Sequence, residues 1–492
     1  MNSLIEGRKN KDLVKKNGKK YRKLLKEKES RRKKKDNIKI HIFQEVNDMN
    51  MASLALAHIV IFNPVMKDSV EIKREYLRRL NGYMKAAGRN KRKFESAELK
   101  AYEKIIMGAQ DTGECHDISY YKYYILLDLM QILAYEFKPA DFEKMKIVKE
   151  RYRIEFEDHI DLNIVNTIFK ITSNSDRKIK QLLNEPNLVN EKEYIQLIQK
   201  NILFKKKEPV GVMVTATMSA GKSAFINALV GKYVCLSQNM ACTSKIHCIV
   251  NKAFEDGFSA EYDHDLVLTA GREELLNDNE LNLSDKIIVS TNFIGELADQ
   301  RIIVNDSPGV NYSGDEKHKE ITERLIKGKN YNLLIYVMNA TQLATNDESD
   351  HLDYVKKTVG RRSVLFIINK IDAFNIEEEN IEFSIQRQSE LLKKKGFKDP
   401  VICPISSRAG YLAKQFKEGK LSRTEERELY NYIDKFEQMR LVDYYAKAFK
   451  DIFVEDAENE EAQLLKTCGL AYVEKIIIVM CKGGNLNGSG KH

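Results

Sequence analysis

The chain has 492 residues, of which 43% are hydrophobic and 31% are charged, and it contains only seven prolines. Enough of it is apolar to bury a core, and its length predicts two or three helix-rich domains. The net charge of +9 is concentrated at the start, because residues 1–36 hold 16 Lys and Arg against 5 Asp and Glu. The sequence therefore predicts a nearly neutral body with a basic arm.

Cysteine usage and hydropathy exclude several classes of protein. Seven cysteines without a C-x-x-C pair indicate a reduced, cytoplasmic protein rather than a disulfide framework. Cys242, His247 and Cys248 are close in sequence, but a zinc site needs a second ligand pair and none is apparent. The polar first ~40 residues predict no secretory signal. No apolar run approaches the ~20 residues of a membrane span, so only peripheral membrane contact is expected.

The basic arm, residues 1–37, has few apolar side chains, and we expect it to be disordered. Its positive charge also allows two functional interpretations, namely that the arm binds an anionic membrane surface or that it binds nucleic acid. Tyr21 is its only aromatic residue, so base stacking is poorly supported. A mitochondrial presequence does not fit, because Lys dominates over Arg and acidic residues are interspersed.

Residues 38–203 predict an all-helical domain. Apolar residues recur at three-to-four spacing in 40–62, 70–87, 120–137, 139–160 and 162–172. The aromatic stripe at 120–137 is typical of a core rather than a cofactor site, and the region contains no catalytic constellation. A last helix, KEYIQLIQKNILF, runs almost directly into the next strand, so we expect this domain to be mechanically coupled to the one that follows.

Residues 208–232, EPVGVMVTATMSAGKSAFINALVGK, predict a strand, a phosphate-binding loop and a helix. Backbone N–H groups of such a loop surround a phosphate at a helix N-terminus. The residues expected to line the nucleotide here are Thr217, Met218, Ser219, Ala220, Gly221, Lys222 and Ser223. Lys222 would reach the outer phosphates, and the Ser223 hydroxyl would bind Mg²⁺. Ala216 replaces the first glycine of the usual pattern.

Two further signals follow in chain order. Thr243, before the β-like run at 245–250, is expected to place its hydroxyl on Mg²⁺, with Ser244 as a competitor. In RIIVNDSPGV, residues 301–310, an apolar strand ends at Asp306, which would hold Mg²⁺ through water. Gly309 would sense the γ-phosphate through its N–H group. The run at 286–293 is predicted to be the neighbouring strand.

The most specific signal is VLFIINKID, residues 364–372. The Asp372 carboxylate would accept two hydrogen bonds from guanine, a donor pair that adenine lacks. Asn369 would tie this loop to the phosphate loop, and the stem of Lys370 would cover the base. In VICPISSRAG, residues 401–410, the N–H groups of Ser406 and Ser407 would meet guanine O6.

The order of these five motifs, with a strand and a helix between most pairs, predicts a doubly wound α/β domain that binds GTP and Mg²⁺. The chain resembles the dynamin superfamily, especially its bacterial members, in five stretches taken together: SAGKS, DSPG, IYVMNATQLATNDESDHL, NKID and PISSRAG. The similarity covers about residues 205–485 and includes CGLAYVEKIIIVM, which is similar to the end of that family's GTPase domain. It implies hydrolysis to GDP, a GTP-dependent homodimer across the active sites and helices that transmit the change. Residues 341–350 would then lie near the partner's site.

The expected organisation is an α/β P-loop GTPase domain at 204–485 preceded by the helical domain, with a helical insert at 411–467 and a flexible tail at 486–492. We interpret the charged insert as solvated.

Two departures from the family matter. Met218 replaces a glutamine that is catalytic in many dynamins, so hydrolysis is either slow or dependent on Lys222, Thr243, Ser219 and a partner-supplied group. Family members usually continue into a long helical trunk, for which only the N-terminal helices are expected to be available here, unless a separate subunit supplies the rest.

The sequence thus predicts a dynamin-like GTPase that couples dimerisation to movement of helices, at an anionic membrane surface if the arm binds lipid. One alternative is a slow GTP-binding switch or scaffold that recruits a protein partner. Another is a GTPase that associates with nucleic acid through the arm, which the shortage of aromatic residues disfavours.

Overall fold

The computed structural model describes residues 55–88, 93–133, 142–156, 160–171, 176–235, 246–262, 266–267, 286–309, 316–328, 330–343, 346–360, 362–375 and 381–484. The basic arm, Thr243 and the tail at 486–492 lie outside these ranges, so the expectations for them stay predictions. Among the described residues, no helix combines the length and the apolar character that crossing a bilayer requires.

Helices dominate the first part of the described chain, as the three-to-four spacing predicts. They are α1 (Val70–Ala86), α2 (Lys93–Gly108), α3 (Lys122–Leu133), α4 (Phe142–Glu155), α5 (Leu162–Ile168), α6 (Asp176–Leu183) and α7 (Lys192–Lys206). Their apolar sides enclose one hydrophobic core that includes residues from Ile59 to Ile202. The aromatic stripe belongs to this core, since Tyr121, Tyr123 and Tyr124 are all buried.

The predicted helix at 40–62 is wrong for the part that the structure describes. Only a short 3₁₀ helix, Ile59–Phe62, is present there. The amide side chain of Asn201 accepts a hydrogen bond from the Ala57 N–H at 3.0 Å and donates one to the Ala57 carbonyl at 2.9 Å. Both backbone groups of Ala57 are therefore satisfied without a helical partner, a tertiary contact that local periodicity cannot reveal.

Helix α3 carries a carboxylate inside the helical core. Asp128 accepts hydrogen bonds from the Tyr76 hydroxyl at 2.6 Å, from the Asn63 amide at 3.1 Å and from the Tyr194 hydroxyl. Burial raises the pKa of Asp128 to about 6, although these three hydrogen bonds act in the opposite direction. The donors join the 3₁₀ segment, α1 and α7 to α3, so this polar cluster fixes how the helices meet.

In the second part of the chain, the described residues form a nine-stranded sheet. Its strands are β1 (Val210–Ala216), β2 (Ile246–Asn251), β3 (Ala260–Tyr262), β4 (Leu266–Val267), β5 (Lys286–Thr291), β6 (Ile302–Asp306), β7 (Leu333–Asn339), β8 (Ser363–Asn369) and β9 (Val401–Ile405). The order is β4-β3-β5-β2-β6-β1-β7-β8-β9. Strands β6, β1, β7, β8 and β9 are parallel, whereas β2 is antiparallel to β6. The α/β fold class is confirmed.

Strand β1 pairs with β6 on one side and with β7 on the other. The chain order reverses at this point, so a crevice opens at the carboxyl ends of these strands. The run predicted at 286–293 does form a strand, β5, but it does not neighbour β6. It pairs with β2, which inserts between them.

The remaining helices pack on this sheet. They are α8 (Lys222–Val230), α9 (Glu316–Gly328), α10 (Asn346–Val359), α11 (Ile381–Lys394), α12 (Ser407–Lys417), α13 (Arg423–Met439), α14 (Leu441–Ala448), α15 (Glu460–Thr467) and α16 (Leu470–Cys481). The insert at 411–467 is helical, but its interpretation as solvated is wrong. Leu429, Ile433 and Phe436 of α13 belong to the hydrophobic core of the sheet domain, because apolar residues at three-to-four spacing bury one face of a charged helix.

The helical part and the sheet part are joined by more than the chain. The Arg301 guanidinium donates to the Lys205 carbonyl at 2.9 Å, at the end of α7. The His58 N–H donates to Asp256 at 2.7 Å, and Asp256 forms a buried ion pair with Lys252 at 2.8 Å. The first contact connects α7 to the start of β6, and the others connect the segment before α1 to the loop after β2. The two hydrophobic cores therefore do not move as independent bodies without breaking polar contacts.

The raised pKa of Asp128 predicts a pH-dependent stability. Because the folded-state pKa is about 6 and the ordinary value is 3.8, the folded protein holds a proton that the unfolded chain releases. Stability is therefore lost as the pH rises through this window. Wild type should lose about 1 kcal/mol relative to Asp128→Asn between pH 5 and pH 7.5, measured from urea unfolding of both proteins at each pH. A difference that does not change with pH would contradict the assignment.

Candidate functional site

The loop between β1 and α8 has the backbone of a phosphate-binding loop. Ser219 and Gly221 adopt positive φ values of 62° and 87°. A Cβ atom on Gly221 would lie 2.4 Å from the Asn369 side-chain nitrogen, so only glycine fits. Ala216, at the position of the missing first glycine, is the buried last residue of β1. The structure thus places the predicted strand, loop and helix in sequence.

Lys222 and Asp306 meet at the start of α8. The Lys222 ammonium forms an ion pair with the Asp306 carboxylate, and both side chains are buried. Asp306 is the last residue of β6, and it lies beside Val214 in the parallel register with β1. Opposite charges within one buried contact stabilise each other, and a bound phosphate would compete with the carboxylate for Lys222.

Gly309 lies close to the backbone of Met218. A Cβ atom built on Gly309 would be 3.9 Å from the Met218 Cα. The Met218 side chain is 46% exposed, so it is not held in the hydrophobic core. The backbone after Asp306 therefore approaches the phosphate loop at the position where a glutamine is expected in many dynamins.

Asn369 connects three loops. Its Nδ2 donates to the carbonyls of Ala220 and Gly221 at 3.2 and 3.3 Å, and its Oδ1 accepts from the Ser407 N–H at 3.1 Å. The next residue, Lys370, has a positive φ of 67° and donates to the Ser219 carbonyl at 2.9 Å. The phosphate loop and the NKID loop are thus fixed to each other by side-chain contacts on the ends of β1 and β8.

Ser406 and Ser407 lie at the start of α12, and both are buried. The Ser406 hydroxyl caps the helix by accepting from the Ala409 N–H at 3.1 Å. The Ser406 N–H donates to the Cys468 carbonyl at 3.2 Å, and the Ser407 N–H donates to Asn369. Both N–H groups already have protein acceptors, so contact with guanine O6 would require an exchange of partner and stays a prediction.

The NKID loop has a support that the sequence did not suggest. Lys435 of α13 donates from its ammonium group to the backbone carbonyls of Asp372 and Phe374 at 2.7 and 2.8 Å. Asp372 itself is half-buried in a 3₁₀ turn, Ile371–Ala373. Lys435 is 63 residues away in sequence, within a charged segment that looked like a solvated helix, and no local pattern marks it.

The sequence profile of the Dynamin family matches residues 212–371, which include the phosphate loop, Asp306 and Asn369. Residues 212–371 are thus similar to the Dynamin family. No curated protein sequence matches the chain at a significant level.

Several solved structures are similar to the chain. A bacterial dynamin pair, described as sensing and tethering membranes, has 14% identity and a TM-score of 0.34, with 77% of this chain and 60% of that chain covered. Toc33 from Arabidopsis thaliana with Mg²⁺ and GMPPNP has 12% identity, a TM-score of 0.30 and coverages of 62% and 97%. Era from Aquifex aeolicus, bound to GDP and AlF₄⁻, has 17% identity, a TM-score of 0.26 and coverages of 43% and 56%. The chain thus spans about three fifths of the length of the bacterial dynamin.

The donor set beside the phosphate loop fits Mg²⁺. The Asp306 carboxylate and the Ser223 hydroxyl supply oxygen atoms, which this ion prefers over nitrogen and sulfur. Ser223 is half-buried at the start of α8, next to Lys222. The third predicted ligand, Thr243, lies outside the described residues. Ser219, predicted to take part in catalysis, has an exposed side chain and offers its carbonyl to Lys370.

Lys435→Met should weaken GTP binding by roughly tenfold, because two carbonyl groups of the NKID loop lose a charged donor. Lys447→Met, on the neighbouring helix α14, is the control, since Lys447 is mostly exposed and makes only a long ion pair at 3.9 Å with Glu382. Titration with a fluorescent guanine nucleotide measures both affinities, and thermal melting checks the fold. Equal affinities for the two variants would show that Lys435 does not support the loop.

Proposed function

We propose that this chain is a dynamin-like GTPase that binds GTP with Mg²⁺, hydrolyses it to GDP and phosphate, and couples nucleotide-dependent homodimerisation to movement of its helices. The observation that carries the proposal is the arrangement around Asn369. One side chain joins the phosphate loop, the NKID loop and the Ser406–Ser407 turn, which are the three loops that would hold phosphate and guanine.

In this proposal Lys222 leaves Asp306 and binds the outer phosphates, while Asp306 and Ser223 turn to the metal. Mg²⁺, when bound, neutralises charge on the phosphate oxygens. Lys222 adds a second positive charge where the transition state needs it. Asp372 would accept hydrogen bonds from guanine, with its backbone held by Lys435. The loop residues Thr217, Met218, Ser219, Ala220 and Gly221 would face the phosphates through their N–H groups.

A series of contacts from α8, beside the proposed nucleotide site, to α16 supports the proposed coupling of nucleotide binding to helix movement. The Lys414 ammonium of α12 donates to the Leu229 carbonyl at 2.8 Å, near the end of α8. It also forms a buried ion pair with Glu474 of α16. The Gln415 amide donates to the Gly231 carbonyl at 2.6 Å. A displacement of α8 on nucleotide binding would therefore displace α16 as well.

Action at a membrane is the finer part of the proposal. It is supported by the excess of Lys and Arg in residues 1–36, which would be attracted to anionic lipid. The same charge would attract nucleic acid, and steeply salt-dependent binding to RNA or DNA without lipid binding would favour that alternative. A separate trunk subunit would be a further partner.

Asp372→Asn should shift the preference of the protein from GTP to XTP by roughly two orders of magnitude or more, since the amide cannot accept both guanine donors. Competition between the two nucleotides for a fluorescent analogue measures the preference. Lys222→Ala is the companion variant and should bind neither nucleotide tightly. Unchanged GTP selectivity in Asp372→Asn would mean that NKID does not read the base.

A second candidate, the slow switch, is favoured by Met218, because a thioether cannot orient water through a strong hydrogen bond. Met218→Gln should raise GTP turnover by at least about tenfold if this side chain limits hydrolysis. Met218→Leu, which preserves the apolar character, is the matched control. Turnover per chain should be measured over a range of protein concentrations, with and without anionic liposomes.

The result separates the two candidates. Turnover per chain that rises with concentration in wild type supports the dimer-activated enzyme. Slow wild-type turnover that does not depend on concentration but rises in Met218→Gln supports the switch, and it argues against a dimer that completes the active site. Turnover that the Met218→Gln substitution leaves unchanged would mean that Met218 does not limit hydrolysis.

A further inference from the structure

Three potential metal ligands meet next to the predicted phosphate site. The Cys235 sulfur, a ring nitrogen of His247 and a carboxylate oxygen of Asp306 all lie within 4.8 Å of one another. Each of the three residues is at most 2% exposed. No sequence motif joins them, because Cys235 follows α8, His247 lies on β2 and Asp306 ends β6.

The backbone holds all three residues in place. His247 and Asp306 face each other as register partners in the antiparallel pairing of β2 with β6. Cys235 is fixed by Asn227 of α8, whose Oδ1 accepts from the Cys235 N–H at 2.8 Å and whose Nδ2 donates to the Cys235 carbonyl at 2.9 Å. A ligand set carried by two strands and a capped turn is organised before a metal arrives.

The chemistry of the set differs from that of the Mg²⁺ site. Thiolate and imidazole are ligands for Zn²⁺ and related transition-metal ions, whereas Mg²⁺ binds oxygen. Ligands on a tetrahedral Zn²⁺ are roughly 3–4 Å apart, so small side-chain rotations would close the present separation. A thiol that binds such an ion loses its proton, and a water molecule would complete the shell.

We propose that Cys235, His247 and Asp306 form a site for Zn²⁺ or a similar transition-metal ion, and that this ion inhibits the domain by withdrawing Asp306 from Lys222 and from Mg²⁺. The inhibitory part rests on the proposed function, because it assumes that Asp306 serves the nucleotide. The metal site itself does not depend on it.

The sheet pairing also explains why spacing in the sequence does not identify these three residues as a set. His247 was considered with Cys242 and Cys248, its neighbours in sequence. Successive residues of a strand point to opposite faces of the sheet, so Cys248 faces away from His247. Cys242 lies outside the described residues. The sheet pairing, not the local spacing, selects the partners of His247.

Metal binding is tested first without nucleotide, on the full chain. Equilibrium dialysis against Zn²⁺ gives the affinity, and Co²⁺ substitution gives a thiolate charge-transfer band if sulfur is a ligand. Cys235→Ser and His247→Gln should each weaken binding by at least about tenfold and Cys235→Ser should abolish the band. Cys403→Ser, at another buried free cysteine on β9, is the matched control and should bind as wild type does. Thermal melting verifies folding, and Cys235→Ala replaces Cys235→Ser if the latter is unstable.

GTP hydrolysis is the second readout. Zn²⁺ added at constant Mg²⁺ should inhibit wild type and Cys403→Ser at concentrations that leave Cys235→Ser unaffected. No ion bound by wild type, or equal binding by Cys235→Ser, would overturn the site. Binding without inhibition would overturn the competition for Asp306. If the protein does not hydrolyse GTP at all, the proposed function fails, and the Co²⁺ spectrum still decides the metal site.

Discussion

The close contact between the Asn369 amide and the phosphate loop is the constraint on which the rest of the site depends. Its two hydrogen bonds to the Ala220 and Gly221 carbonyls hold two strand ends together, and its oxygen holds the start of α12. The contact leaves no space for a side chain at position 221. Because each atom of the amide is committed to a different loop, displacement of one loop is transmitted to the other two.

Around this centre the protein uses buried charges as connectors between elements. Lys414 and Glu474 pair between α12 and α16, and burial lowers the pKa of the lysine and raises that of the glutamate, while each partner opposes the shift in the other. Lys252 and Asp256 pair near the join with the helical part. Such pairs add little net stability over apolar residues, but removing one partner is costly. They therefore favour one arrangement of the helices over others of similar burial.

Local sequence predicted the elements of the site but not all of their neighbours. The strand, loop and helix at 210–230, the strand ending at Asp306 and the NKID turn all have local signals, namely apolar runs, small residues and a polar residue at the strand end. Lys435 had none, because its role depends on α13 folding over the NKID loop. The predicted helix at 40–62 failed over its described part, since Asn201 satisfies Ala57 from a distant helix. The same limit explains why local spacing does not bring His247 together with Cys235 and Asp306.

The sequence by itself determined the α/β class, the order of the nucleotide motifs and the position of Met218 in the phosphate loop, because these follow from periodicity and from residue types at short spacing. Tertiary structure decided which side chains meet: Asn369 with Gly221, Lys435 with the carbonyl of Asp372, and Cys235 with His247 and Asp306. The physical reason is that strand register and helix packing bring together residues tens to hundreds of positions apart. Hydrogen bonds and ion pairs then form at those meeting points, and no local pattern encodes them.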